Sequence, residues 1–177
     1  MNRYHRLLSK LQPPKELKTL LLFFLCLAVF LAAIHGIKKF APLVYQQWLY
    51  LQAEICCWLL SAYADALLIE KDQLTYWLVK NEKPMVAIVP NCLIDRSVSF
   101  YCSFLIVQGM QLKRLTKFLL IGLLLLFTFN TFRIISLGEL HLWKPNWYDY
   151  AHEFLLPLTE YFIVFLLWAW IVKTNKH

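Results

Sequence analysis

Three polar residues in a mostly apolar sequence have side chains suited to nucleophilic acyl transfer. Cys92 follows the segment Val-Pro-Asn, Arg133 follows Asn-Thr-Phe, and His152 follows Asp-Tyr-Ala. A cysteine thiolate can attack a carbonyl carbon, a histidine can move the proton, and an arginine can stabilise the negative charge that develops. The three residues are far apart in the sequence, so their joint use depends on the elements that position them.

The composition predicts that those elements are membrane helices. Of the 177 residues, 60% are hydrophobic and only 16% are charged, and the mean hydropathy is +0.53. A soluble domain has about 25% charged residues, so this chain has too few charges to cover a surface that faces water. The composition therefore indicates an integral membrane protein and excludes soluble enzymes, disordered chains and disulfide scaffolds.

The apolar runs predict four membrane-spanning helices, at about residues 17–37, 97–112, 116–137 and 154–172. A membrane helix needs about 20 apolar residues, so the second span is short. We interpret the first span as a retained anchor rather than a signal peptide. Its apolar core is longer than the usual 7–15 residues or so, and no clear Ala-x-Ala cleavage site follows it.

The segment 38–96 between the first two spans predicts outer-face structure. Residues 43–69 are apolar but interrupted by Gln, Glu and Asp and rich in aromatics, which favours an amphipathic interfacial helix over a fifth span. Two β-prone runs at 73–79 and 84–89 flank a polar turn and predict a short hairpin. The expected fold class is an all-α polytopic membrane protein with about four transmembrane helices, an outer-face amphipathic helix and a short β-hairpin, in a single domain spanning 1–177.

The distribution of charge predicts the orientation. With the amino terminus in the cytoplasm, ten basic residues and one acidic residue lie inside, against eight basic and ten acidic residues outside. This asymmetry follows the positive-inside rule and places both termini in the cytoplasm. The net charge of +7 then reflects topology, so no nucleic-acid partner is expected. The same orientation places Cys92, Arg133 and His152 at the outer boundary of the membrane.

Arg133 has two interpretations within its span. An arginine inside a membrane helix is costly unless its long side chain reaches the headgroups. Asn130 precedes it by three residues, on nearly the same helix face. Two polar residues on one face favour a stripe that turns towards a protein interior.

Other candidate residues have simpler explanations. Cys26 and Cys102 lie inside apolar spans, where a small hydrophobic side chain is the ordinary role of cysteine. Cys56 and Cys57 are adjacent, which is not the spacing of a redox or metal motif.

The outer loop between the last two spans offers a second histidine and a possible metal site. His141 competes with His152 as the catalytic histidine, and both lie near Asp149. The spacing is irregular and there is no HExxH motif, so zinc is disfavoured. An intramembrane metalloprotease would be sensitive to chelators, whereas a cysteine enzyme would be sensitive to alkylation. No phosphate-binding or dinucleotide-binding glycine motif is present, and no cofactor is expected.

At these positions the sequence resembles the exosortase/archaeosortase family of membrane-embedded cysteine transpeptidases. The family pattern has a cysteine at the start of a span, an N-x-x-R motif late in the next span and a histidine beyond it. Here the pattern falls on Cys92, Asn130 with Arg133, and His152. The resemblance covers roughly residues 43–172.

The resemblance carries one departure. The family cysteine is commonly followed by a small residue and Gly, whereas Leu93 and Ile94 follow Cys92 here. The chain is also short for the family, so the resemblance implies a divergent short member.

The resemblance implies an enzyme of the cytoplasmic membrane that acts on exported proteins. Such enzymes recognise a carboxyl-terminal signal composed of a short motif, a membrane helix and a basic tail. They cut near the motif on the outer face, through a thioester. Cys92 would be the nucleophile, Arg133 would stabilise the thiolate or the oxyanion, and His152 would transfer protons. Asn130 would hold the Arg133 guanidinium or donate to the oxyanion. The alternative is a non-catalytic scaffold or assembly subunit for envelope protein export.

Overall fold

The computed structural model describes residues 15–72, 75–93 and 95–175. The chain is mostly helical, with a three-stranded sheet and a 3-10 turn between the second and third helices. The helices are α1 (Lys15–Phe40), α2 (Pro42–Ser61), α3 (Asp95–Val107), α4 (Leu112–Trp143), α5 (Pro145–Tyr150) and α6 (Leu156–Asn175). The strands are β1 (Ala66–Asp72), β2 (Thr75–Lys80) and β3 (Lys83–Ile88), the 3-10 turn is Pro90–Cys92, and a π-helical turn at Ala151–Leu155 joins α5 to α6.

Three helical segments are long and apolar enough to cross a membrane. They are Glu16–Phe40, Leu112–Trp143 and Pro145–Thr174, the last running through the π-helical turn. This agrees with an integral membrane protein. The predicted count of four spans is not confirmed, because α3 has only 13 residues and a spanning helix needs about 20.

The last two helical segments extend beyond the predicted spans. Residues 116–137 lie inside α4, and residues 154–172 lie inside the segment that begins at Pro145. Hydropathy marks only the apolar part of a helix, whereas the backbone hydrogen bonds continue into the flanking aromatic residues.

The predicted hairpin is present as β2 and β3, which pair antiparallel. Its two-residue turn places Asn81 and Glu82 at φ 48° and 65°, the left-handed conformation that suits the twist of a tight hairpin. Pro84 lies in β3, whose only partner in the sheet is β2. A proline, which lacks an N–H donor, is tolerated in such an edge strand. Residues 73 and 74 lie outside the described residues.

The interfacial-helix prediction for residues 43–69 is wrong at its carboxyl-terminal end. The helix ends at Ser61, and residues 66–69 belong to β1, which pairs antiparallel with β2. The edge of β2 that does not face β3 presents backbone N–H and C=O groups, and β1 forms hydrogen bonds with them. This pairing overrides the apolar pattern that continues from α2.

One face of α2 is buried against the sheet and α4, at positions spaced by three to four residues. That face includes Leu49, Ala53, Cys56 and Leu60. The opposite face leaves large apolar side chains exposed: Leu43, Val44, Trp48, Leu51 and Trp58.

Two hydrophobic clusters share α4. The sheet cluster joins α2, the sheet and the second half of α4; its buried members are Tyr45, Leu49, Ala53, Cys56, Leu60, Tyr76, Leu78, Met85, Val86, Ile88, Leu93 and Ile134. The helix cluster joins α3, α4 and α6; its buried members are Tyr101, Leu105, Phe118, Leu126, Val164, Leu167 and Ile171. The candidate site lies where these two clusters meet along α4.

The helices α3 and α4 form a tight antiparallel pair. Gly109 turns the chain between them with φ 60°. The hydroxyl of Tyr101 donates to the carbonyl oxygen of Phe118 at 2.6 Å, and a side chain at Gly122 would overlap the Tyr101 ring. Glycine at this position therefore sets how closely the two helices approach.

Candidate functional site

Cys92 lies at the end of the 3-10 turn that follows β3. Pro90 at the start of this turn ends the strand, since it has no N–H donor for a ladder. The Cys92 amide donates to the carbonyl oxygen of Val89 at 2.8 Å. Its thiol donates weakly to the carbonyl oxygen of Ala87 at 3.7 Å. The turn holds a half-buried thiol against the sheet cluster.

The surroundings of Cys92 have opposite effects on the pKa of its thiol. Burial raises the pKa of the Cys92 thiol, whereas a backbone hydrogen bond at Val89 and the positive charge of Arg133 lower it by less. Arg133 is therefore near enough for its charge to act on the sulfur. In this conformation the thiol is protonated at neutral pH.

Leu93 and Ile94 replace the small residue and Gly of the family pattern. Leu93 is buried in the sheet cluster, so it anchors the turn by packing rather than by backbone freedom. Ile94 lies outside the described residues.

Arg133 pairs with Glu160, a residue that the sequence analysis did not single out. Arg133 Nη1 lies 3.0 Å from Glu160 Oε2, with side chains 11% and 9% exposed. The hydroxyl of Ser97 donates to the other carboxylate oxygen. The signal was available, because an acidic residue inside an apolar span requires a polar partner. The three side chains connect α3, α4 and α6.

This ion pair lines a polar cleft of about 280 Å³. Pro90 and Leu93, on either side of Cys92, also line it. The cleft contains the charged and hydroxyl side chains of Lys38, Asp95, Arg96, Ser97, Arg133 and Glu160. A cleft of this kind can hold a peptide backbone better than an apolar chain.

A second polar group ties the cleft to the turn that carries Cys92. Lys38 Nζ lies 2.8 Å from Asp95 Oδ2, and the Tyr45 hydroxyl donates to the same carboxylate at 2.8 Å. That hydroxyl also lies 3.2 Å from the carbonyl oxygen of Pro90. Burial, together with the bond to Asp95, raises the pKa of Tyr45, which therefore remains a donor.

The two histidines lie on either side of Tyr148. His152 stacks on the Tyr148 ring at 5.8 Å, and His141 contacts it edge-on at 5.1 Å. The expectation that both lie in a loop is wrong, because His141 belongs to α4 and His152 to the π-helical turn. Cys92 acts electrostatically on Tyr148, whose ring also stacks on His152.

The predicted site residues are not hydrogen-bonded to one another within the described part of the chain. In the described part of the chain, the Cys92 thiol makes no hydrogen bond to Arg133 or His152. Asn130 is fully buried, and neither of its amide atoms has a partner among the described residues. Its interior position fits the predicted polar stripe, but it does not hold the Arg133 guanidinium.

The described residues offer no metal site and no disulfide. No group of three His, Cys, Asp or Glu side chains in residues 15–72, 75–93 and 95–175 is arranged to hold a metal ion. All five cysteines are free thiols.

No family model, curated protein or solved structure matches the chain. The resemblance to the exosortase/archaeosortase family therefore depends on the motifs around Cys92, Arg133 and His152.

Proposed function

We propose that this protein is an exosortase-like cysteine peptidase or transpeptidase of the cytoplasmic membrane. It cleaves carboxyl-terminal sorting signals of exported proteins at the outer face. The observation that carries this proposal is the polar cleft, which is lined by Arg133 and by Pro90 and Leu93 on either side of Cys92. Arg133 acts electrostatically on Cys92, and Tyr148 interacts with both the thiol and His152.

The contacts of α3 support a fourth, short membrane crossing. At one end of α3, Asp95 pairs with Lys38 near the end of α1. At its other end, Val107 lines a groove together with Glu16 and Leu20 from the start of α1. Thus α3 and its following turn run beside most of α1, whose length suits a full crossing. If the amino terminus is cytoplasmic, as the charge distribution predicts, the proposed topology has the cleft at the outer face.

The reaction begins with activation of the buried thiol. His152 leaves its stack on Tyr148 and accepts the thiol proton, and the positive charge of Arg133 stabilises the thiolate. The sulfur attacks the carbonyl carbon of the scissile peptide bond. Arg133 then donates to the oxyanion of the tetrahedral intermediate.

The intermediate collapses by breaking the carbon–nitrogen bond. The histidinium returns its proton to the departing amine, and the carboxyl-terminal membrane tail leaves. The substrate remains attached to Cys92 as a thioester. Water or an acceptor nucleophile attacks this thioester, releases the acyl group and restores the thiol.

Burial of Cys92 gives the enzyme a resting state. A protonated thiol that donates to Ala87 is a poor nucleophile, since the thiolate is the reactive form. Substrate that enters the cleft replaces that contact and brings His152 to the sulfur. Activation would then depend on the substrate, which protects the thiol from oxidation and from unrelated peptides.

The test compares carboxyl termini of envelope proteins by mass spectrometry. Cells expressing the intact protein are compared with cells expressing Cys92→Ala at equal levels, with Cys102→Ala as the matched cysteine control. We expect retained membrane tails in Cys92→Ala cells and normal termini in Cys102→Ala cells. Identical termini in all three would rule out a cysteine-dependent processing enzyme.

A non-catalytic assembly subunit is the second candidate. It is favoured by the resting geometry, in which Arg133 is bound to Glu160 and the Cys92 thiol donates only to Ala87. For this function, complete deletion would impair export of envelope proteins, whereas Cys92→Ala would leave both export and protein termini unchanged.

A further inference from the structure

Glu160 is a buried carboxylate in the mostly apolar helix α6. It is 7% exposed, and its two oxygens contact side chains from two other helices. One oxygen pairs with Arg133 at 3.0 Å, and the other accepts from Ser97. The pair is therefore satisfied at both oxygens and is held from α3 as well as from α4.

Packing of α6 does not require this charge. The other buried residues of α6 that contact the helix cluster are Val164, Leu167 and Ile171. An ion pair that is removed from water is often no more stabilising than well-packed apolar side chains of similar volume. The position of Glu160 beside the polar cleft therefore points to a role in the site.

We propose that Glu160 is a positioning residue that, with Ser97, fixes the Arg133 guanidinium and sets how much of its positive charge acts on Cys92. This inference rests on the proposed function in one respect, namely that Cys92 is the nucleophile. Among the described residues Glu160 makes no hydrogen bond or ion pair with Cys92 or His152, and it acts through Arg133.

The hydrogen-bond inventory of Arg133 supports this role. A guanidinium has five N–H donors in a fixed plane, and among the described residues only Nη1 has a protein partner, Glu160. Fixing one nitrogen orients the whole plane and leaves the other donors for a substrate carbonyl oxygen. A flexible, unpaired arginine would have to be ordered at each turnover.

The charged groups around Cys92 indicate that Glu160 influences the thiol through Arg133. The titratable groups that act on or respond to Cys92 are Tyr45 and Cys56 of α2, Arg133 of α4 and Tyr148 of α5. Arg133 is the cation in this set. The remaining charged groups of the cleft are Lys38, Asp95 and Arg96, of which the first two pair with each other.

The test measures the rate of Cys92 alkylation as a function of pH. The full chain is labelled in detergent micelles, and peptide-resolved mass spectrometry quantifies the label on Cys92. In the intact protein we expect the labelling rate to rise only above the usual thiol range near pH 8.5. Glu160→Gln keeps the hydrogen-bonding shape but removes the negative charge that neutralises Arg133. The profile should move to lower pH by about one unit, a tenfold gain in thiolate fraction.

Three further variants separate positioning from simple packing. Glu160→Asp keeps the charge and should restore the original profile. Arg133→Gln combined with Glu160→Gln should lose the shift, because the cation that transmits it is gone. Glu139→Gln removes a carboxylate of α4 that pairs with Lys80 instead, and it should leave the profile unchanged.

A purely structural Glu160 gives a different result. Labelling of Glu160→Gln would then either stay at the original level or increase equally at every pH through greater exposure, and either outcome overturns the proposal.

Failure of this inference is distinguishable from failure of the proposed function. Loss of processing in Cys92→Ala with an unmoved Glu160→Gln profile would reject the positioning role alone. A shifted profile with normal processing in Cys92→Ala would support the charge coupling and reject the enzymatic function.

Discussion

Two ion pairs on α4, about two turns apart, serve different parts of the molecule. Arg133 pairs with Glu160 and joins α4 to α6 beside the polar cleft, with side chains 11% and 9% exposed. Glu139 pairs with Lys80 and joins α4 to the sheet, with side chains 28% and 16% exposed. The second pair is supported by Tyr63, whose hydroxyl donates to Glu139 at 3.3 Å.

The difference between the two pairs shows how burial changes the free-energy cost of losing one partner. Where water reaches part of an ion pair, it screens each charge, so losing one partner costs less. In a buried pair, losing one partner leaves the other charge in a medium that solvates it poorly. The Lys80–Glu139 pair is thus a tether for the sheet, whereas the Arg133–Glu160 pair keeps a charge available within the buried part of the site.

Arg133→Ala should produce the largest effect. It leaves Glu160 buried without its cation, which we expect to lower the free energy of unfolding by about 3–5 kcal/mol and to abolish processing. Thermal unfolding in detergent and carboxyl-terminal mass spectrometry measure the two effects. A stable and active Arg133→Ala protein would remove the distinction between the two pairs.

Arg133→Lys should separate stability from activity. Only one guanidinium nitrogen, Nη1, contacts Glu160, so a lysine ammonium can keep the pair and most of the stability. Processing should still be lost, because a point charge cannot replace a planar fork of donors at the oxyanion. Full activity in this variant would show that shape at Arg133 is unimportant.

Gly122→Ala should lower the stability of the protein more than Gly138→Ala does. This pair of variants extends the comparison from charge to packing along α4. A Cβ at Gly122 would overlap the ring of Tyr101, which is held by its bond to Phe118. Overpacking of this kind costs about 1–3 kcal/mol. A Cβ at Gly138 would lie 2.5 Å from Met85 Cγ, and the flexible methionine can move aside. Equal unfolding midpoints would contradict this ranking.

Lys80→Ala should produce the smallest effect. The pair with Glu139 is partly exposed, so its loss should change the free energy of unfolding by no more than about 1 kcal/mol. Processing should continue at the normal rate. A loss comparable with that of Arg133→Ala, in the same unfolding assay, would show that the sheet tether and the buried pair are equivalent.

Local sequence patterns predicted several features of the fold and the site. The hairpin followed from two β-prone runs around a polar turn, and Arg133 followed from the cost of a charge in an apolar segment. The strand β1 was missed because its apolar residues continue the pattern of α2, and only pairing with β2 distinguishes strand from helix there. Glu160 was overlooked although the same argument that singled out Arg133 applies to it.

The sequence by itself determined that the chain is built from apolar helices, where the turn of the hairpin lies and which residue types could do chemistry. These properties depend on residues that are near one another along the chain. Only the tertiary structure decided that Glu160 pairs with Arg133, that Tyr148 lies between the two histidines and that α3 packs along α1. Those contacts join segments distant in the sequence, and their energies depend on burial, which exists only once the helices and the sheet have packed.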